Sequence, residues 1–69
     1  MRITVHLLPT RKETVVLDLP DGATVEGAIR ALGLMPDGWL AIRCGDPLPL
    51  DEELLDGNEL KLVSVVSGG

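Results

Sequence analysis

Few of the 69 residues are equipped for chemistry, and the pattern best suited to it is the closing Ser67-Gly68-Gly69. Two successive residues without a Cβ can pass through a narrow cleft and take almost any backbone angle. What such an end presents is an α-carboxylate, which is ionised at neutral pH and a poor electrophile. To transfer its acyl group or exchange an oxygen it must first gain a good leaving group. Adenylation by ATP on a separate enzyme is the usual route. Three extended residues reach about 10 Å, enough to enter a partner's cleft. Chance and a linker remnant are the plain alternatives for a terminal Gly-Gly. Against them, the pair follows an apolar strand pattern with no spacer and no tag residues.

Inside the chain no catalytic set assembles. There is one His, one Cys and no Tyr, so a Cys–His or Ser–His pair would have to use His6. Alternation puts His6 on the solvent side of a first strand and Cys44 on the core side of a third. That reads as a surface imidazole and a small buried thiol. Asp51-Glu52-Glu53, with Asp56 nearby, lacks the alternating spacing and closing Glu of a calcium loop, and reads as a solvated acidic loop. Gly45 and Gly57 are single turn glycines rather than a phosphate loop. The expectation is no catalytic residue, no metal and no cofactor bound by this chain, which is a substrate of enzymes rather than an enzyme.

The elements that would hold the terminus in place can be read from periodicity. Met1 to Leu8 alternates, with Ile3, Val5 and Leu7 on one side and Arg2, Thr4 and His6 on the other. Pro9-Thr10-Arg11-Lys12 breaks the pattern. Glu13 to Leu19 forms a second strand with Val15, Leu17 and Leu19 inward, making an antiparallel hairpin. After Pro20-Asp21-Gly22 the period changes. Thr24 is an N-cap and Glu26 suits the positive end of a helix. Val25, Ala28, Ile29 and Leu32 make one helical stripe, which Gly33 stops and Pro36 prevents from continuing. Gly27 costs that helix roughly 0.5–1 kcal/mol relative to Ala, and close approach to a sheet is one reason to have it.

Trp39 to Cys44 reads as a third strand with Leu40, Ile42 and Cys44 inward. Gly45-Asp46-Pro47 turns the chain, Leu48-Pro49-Leu50 is a short edge strand, and Asp51 to Leu55 is a single 3₁₀-like turn. A last strand, Glu59 to Val66, points Leu60 and Leu62 in. One helix must cover one face of one sheet, because neither buries its apolar side alone. The two most apolar strands, the first and the last, lie side by side and parallel at the centre. The fold class is α+β: a β-grasp, with a mixed sheet of four to five strands and one helix on one face. One domain spans residues 1–66, followed by a flexible tail at 67–69.

The other sheet face is left open. By alternation it carries Val16, Trp39, Ala41, Arg43, Val63 and Val65, an apolar cluster of the kind that contacts partners. Arg43 would orient a carboxylate on the partner. Eleven acidic against six basic residues give a formal charge of −5, which disfavours nucleic acid and favours a partner with a basic docking surface. No apolar stretch approaches the ~20 residues needed to span a bilayer. The start, Met1-Arg2-Ile3-Thr4-Val5-His6, is not a signal-peptide core. The expectation is a cytoplasmic protein, with no membrane contact.

The strand-strand-helix layout, Leu55-Asp56-Gly57-Asn58-Glu59-Leu60 and the closing Ser64-Val65-Val66-Ser67-Gly68-Gly69 resemble the ThiS/MoaD family of ubiquitin-like sulfur carriers. The resemblance implies that a ubiquitin-activating-type enzyme uses ATP to adenylate Gly69, with Gly68 beside it. A persulfide sulfur then replaces AMP and leaves a thiocarboxylate. A sulfur-accepting enzyme would take that sulfur toward the thiamin thiazole, tRNA thiouridine or molybdopterin. The ending departs from the Gly-Gly-Gly and Pro-Pro-Val patterns of two branches, so the acceptor stays open. The alternatives are a protein modifier joined through Gly69 to lysines, and a β-grasp interaction module whose tail is idle.

Overall fold

The computed structural model describes residues 1–8 and 12–65. The expected tail at 67–69 lies outside them. Five strands form one sheet in the order β2-β1-β5-β3-β4. β1 (Arg2–Leu8) and β2 (Glu13–Asp18) pair antiparallel, with Ile3 opposite Leu17 and Val5 opposite Val15. β5 (Glu59–Ser64) lies parallel to β1, Val5 opposite Leu60 and Leu7 opposite Leu62. The first and last strands therefore hold the centre, as their apolar content predicts. The last strand ends two residues short of the predicted Val66.

The helix α1 (Val25–Ala31) lies on one face, and Ile3, Val5, Leu7, Val25, Ala28, Ile29, Leu60 and Leu62 are buried between the two layers. Its termini explain its length. Thr24 Oγ1 accepts from the Gly27 N–H at 3.3 Å. The N–H groups of Val25 and Glu26 donate to the carbonyls of Glu52 and Leu50. At the other end Gly33 takes φ +77°, its N–H donating to Arg30 O while that of Leu34 donates to Ile29 O. These two bonds make a Schellman stop, with Leu34 folded back onto the core.

The segment after β4 is consequently not the 3₁₀-like turn expected at Asp51 to Leu55. Its carbonyls cap the helix, Glu53 bridges Thr24, and Leu54 donates to Ala23 O while its side chain is buried in the core. The 3₁₀ turn instead occupies Pro36–Gly38, just before β3 (Trp39–Arg43). Gly27 also differs from expectation: a Cβ there would meet only Thr24 Oγ1, at 3.8 Å, so no close approach requires it.

The face assignment of β3 is reversed. Ala41 is buried opposite Leu62, whereas Leu40 is exposed opposite Val63. The hairpin that follows has a two-residue turn, Cys44-Gly45, with φ +53° and +83°. Both positive angles match a type I′ turn, whose twist suits the flanking strands. β4 is therefore Asp46–Leu48, earlier than predicted, with Pro47 on a sheet edge where its missing N–H costs no central ladder bond. Cys44 stands exposed in this turn rather than inside the core.

Candidate functional site

The register fixes what the open face carries. Strand partners directly opposite share a face, so three rows cross the side away from the helix. The first row is Val16, Thr4 and Glu59, and the second is Thr14, His6, Lys61, Ile42 and Pro47. The third row is Leu8, Val63 and Leu40, with Val65 two residues beyond Val63. Val65 itself is exposed, and its N–H donates to Gly38 O at 2.9 Å. The face therefore grades from polar to apolar toward the end where the chain leaves β5 for residues 66–69.

The polar rows are cross-linked. His6 Nδ1 lies 3.0 Å from Thr14 Oγ1, and His6 Nε2 lies 3.5 Å from Glu59 Oε2, so the imidazole bridges β2 and β5. Arg2 Nε donates to Asp18 at 3.2 Å on the outer hairpin. His6 stands on the open face as expected, and Cys44 lies outside the sheet rows at the β3–β4 turn. Among the described residues no group of three or more His, Cys, Asp or Glu side chains is placed to hold a metal ion.

Of the six sequence-predicted contact residues, Val16, Val63 and Val65 share the open face. Trp39, Ala41 and Arg43 do not. Ala41 is core, and Trp39 is half-buried and packs against the core. The Arg43 guanidinium donates to Glu52 Oε2 at 3.0 Å and Asn58 Oδ1 at 3.3 Å. It orients a carboxylate of its own chain and ties the end of β3 to the loop that enters β5. Asn58 Oδ1 also accepts from the Leu55 N–H, so this loop is fixed at two points. The open face also carries Leu8, Leu40 and Ile42, which the sequence reading did not assign to it. Alternation from Arg2, Thr4 and His6 already puts Leu8 on the open side. Leu40 and Ile42 follow only once their β5 partners, Val63 and Lys61, are known. Gly68 and Gly69 lie outside the described residues.

A five-stranded mixed sheet with parallel central strands and one helix across it is a ubiquitin-like β-grasp. Solved structures agree over 94–100% of the chain. SAMP1 from Haloferax volcanii is similar with a TM-score of 0.77 and 27% identity, covering 100% of both chains. A second structure of H. volcanii small archaeal modifier protein 1 matches at 0.76 and 25%, over 94% of this chain and 98% of the other. The Caldiarchaeum subterraneum ubiquitin shares the fold, at 0.75 and 22%, over 100% and 98%. No protein-family model and no curated protein sequence matches the chain.

Proposed function

We propose that this chain is a ubiquitin-like sulfur carrier. A partner enzyme adenylates the Gly69 carboxylate, and the acyl adenylate is converted to a thiocarboxylate that donates sulfur in biosynthesis. The observation that carries the reading is the placement of β5. It leaves the middle of the sheet beside the apolar row Leu8, Val63 and Leu40, with residues 66–69 still to come. A partner that docks on that row is within about 20 Å of the terminal carbonyl, the reach of the six residues after Val63.

In the activation step a Gly69 carboxylate oxygen attacks the α-phosphorus of ATP and pyrophosphate leaves. A persulfide sulfur then displaces AMP, and a thiol cleaves the resulting S–S bond to free the thiocarboxylate. This chain supplies a docking face and a slender acyl donor; ATP and all acid–base groups belong to the partner. Docking falls on Val16, Val63 and Val65 together with Leu8, Leu40 and Ile42. The reading takes Gly69 as the final residue. Intact mass of the protein from its native host tests both points: one oxygen replaced by sulfur on a chain ending at Gly69 is expected. A fully oxygenated terminus under sulfur-replete growth would count against the carrier.

A second reading, conjugation through Gly69 to protein lysines, is favoured by the likeness to a small archaeal modifier protein. The same adenylate serves both. Slowly migrating conjugates that disappear on deletion of Gly69 would select it.

A further inference from the structure

The two edges of the sheet are finished differently. β4 is three residues long and carries Pro47, two of the devices that keep an edge strand from pairing further. β2, the other edge, has neither a Pro nor a Lys between Glu13 and Asp18, and its register with β1 runs without a bulge. The pairing continues one step past the strand. The Met1 amine donates to Leu19 O at 2.7 Å, and the Leu19 N–H donates to Met1 O at 2.8 Å. That exchange makes Met1 and Leu19 a hydrogen-bonded pair, and in an antiparallel ladder such pairs alternate with non-bonded ones. Leu17, Val15 and Glu13 therefore turn their backbone groups toward β1, while Thr14, Val16 and Asp18 turn theirs outward. The outer edge of β2 is a row of extended N–H and C=O groups.

We infer that this edge receives the same edge of a second copy of the chain, antiparallel, with Val16 facing Val16. The run from Glu13 to Leu19 is centred on Val16, so a twofold axis there uses the whole edge. Val16 then exchanges both bonds with its counterpart, and Thr14 exchanges both with Asp18 of the second copy, so each outward N–H finds a carbonyl. The side chains suit this register. Val16, 57% exposed, gains an apolar neighbour on the open face. On the helix side the half-buried Val15 and Leu17 meet Leu17 and Val15 of the second copy, extending the apolar layer. Asp18, already paired with Arg2 at 3.2 Å, faces a threonine, and Glu13 faces Leu19, so no carboxylate stands opposite another. Neighbouring registers are poorer. An axis at Leu17 sets Thr14 against Pro20, which has no N–H. An axis at Val15 sets Asp18 against Lys12, whose φ of +45° is not extended. The axis stands perpendicular to the sheet, so both helices lie on one side and the rows Leu8, Val63 and Leu40 stay uncovered. The contact is about 23 Å long and one sheet thick. It covers far less than the ~2,000 Å² or more of a permanent dimer, so the copies join and part with concentration. The pairing is independent of what happens at Gly69.

Sedimentation equilibrium of the full chain from about 20 μM to about 1 mM tests this, in about 0.15 M NaCl to screen long-range repulsion between two acidic chains. The weight-average mass should climb from 7.3 kDa toward twice that value. Val16→Lys sets like charges face to face and should hold the mass at one chain, although it lowers the net charge. Val16→Glu alone should do the same. An equal mixture of the two variants should associate again, because Lys faces Glu only in this register. Both variants should keep the circular dichroism spectrum of the unaltered chain, since the Val16 side chain is mostly in solvent. Amide exchange of the unaltered chain reads the edge directly, and the Val16 N–H should exchange severalfold more slowly at the high concentration. A mass that stays at one chain up to about 1 mM would overturn the pairing. So would a single variant that associates as the unaltered chain does, or a mixture no more associated than its parts. Protection of Val16 that ignores concentration would mean that the chain covers its own edge, and would overturn it too.

Discussion

At the scale of single residues, Leu40 and Ala41 separate surface from core. Leu40→Ser should change unfolding free energy by no more than about 0.5 kcal/mol. Ala41→Leu, which forces extra methylenes against Leu62 and Leu48, should cost about 1–3 kcal/mol. Urea titration of both variants checks the contrast, and the reverse order would restore the face assignment read from sequence. That assignment failed for a physical reason. Trp39 to Ile42 is apolar at every position, so alternation finds two apolar faces and hydrophobicity prefers the larger Leu and Ile. Only the partner strand breaks the tie, because Leu62 must face the helix and Ala41 lies opposite it. In β1 the polar residues Arg2, Thr4 and His6 leave no such ambiguity, and its orientation was legible. At the terminus, Gly69→Ala should lower adenylation sharply in a partner assay, since it adds a Cβ beside the reacting carbonyl. The melting curve should stay unchanged.

At the scale of elements, the helix makes opposed demands of its glycines. Gly27 lies within α1, where an added Cβ makes only ordinary contact with Thr24 Oγ1, so Gly27→Ala should stabilise the protein by about 0.4–1 kcal/mol. Gly33 stands at φ +77°, where an L side chain costs about 1–2 kcal/mol, so Gly33→Ala should destabilise. Thermal unfolding of the pair tests the sign of each. The cap and stop residues Thr24 and Gly33 were visible in the sequence because their function is local. The segment from Leu50 to Leu54 was not, since its conformation answers the unpaired N–H groups of a helix more than twenty residues upstream. Buried Leu54 went unremarked for the same reason. Leu54→Ala should cost about 2–5 kcal/mol, as expected for a truncated core leucine.

At the scale of the whole molecule, strand order was legible because the two most apolar strands compete successfully for the middle. The open face was partly legible: alternation places Val16, Val63, Val65 and Leu8 on it, while Leu40 and Ile42 needed the register. Replacing Leu40 and Val63 together with Asp should abolish docking to an activating partner, with the circular dichroism spectrum retained. Retained docking would move the interface elsewhere. The same strand order governs when the molecule can exist. Thr4 finds its neighbour Glu59 55 positions away in the numbering. Contacts of such separation form slowly, because chain entropy is lost before they repay it. A nascent chain on the ribosome has a hairpin and a helix but no middle to its sheet until Glu59–Ser64 is made. Folding therefore waits for that strand, and a product truncated before Glu59 has no native state to reach.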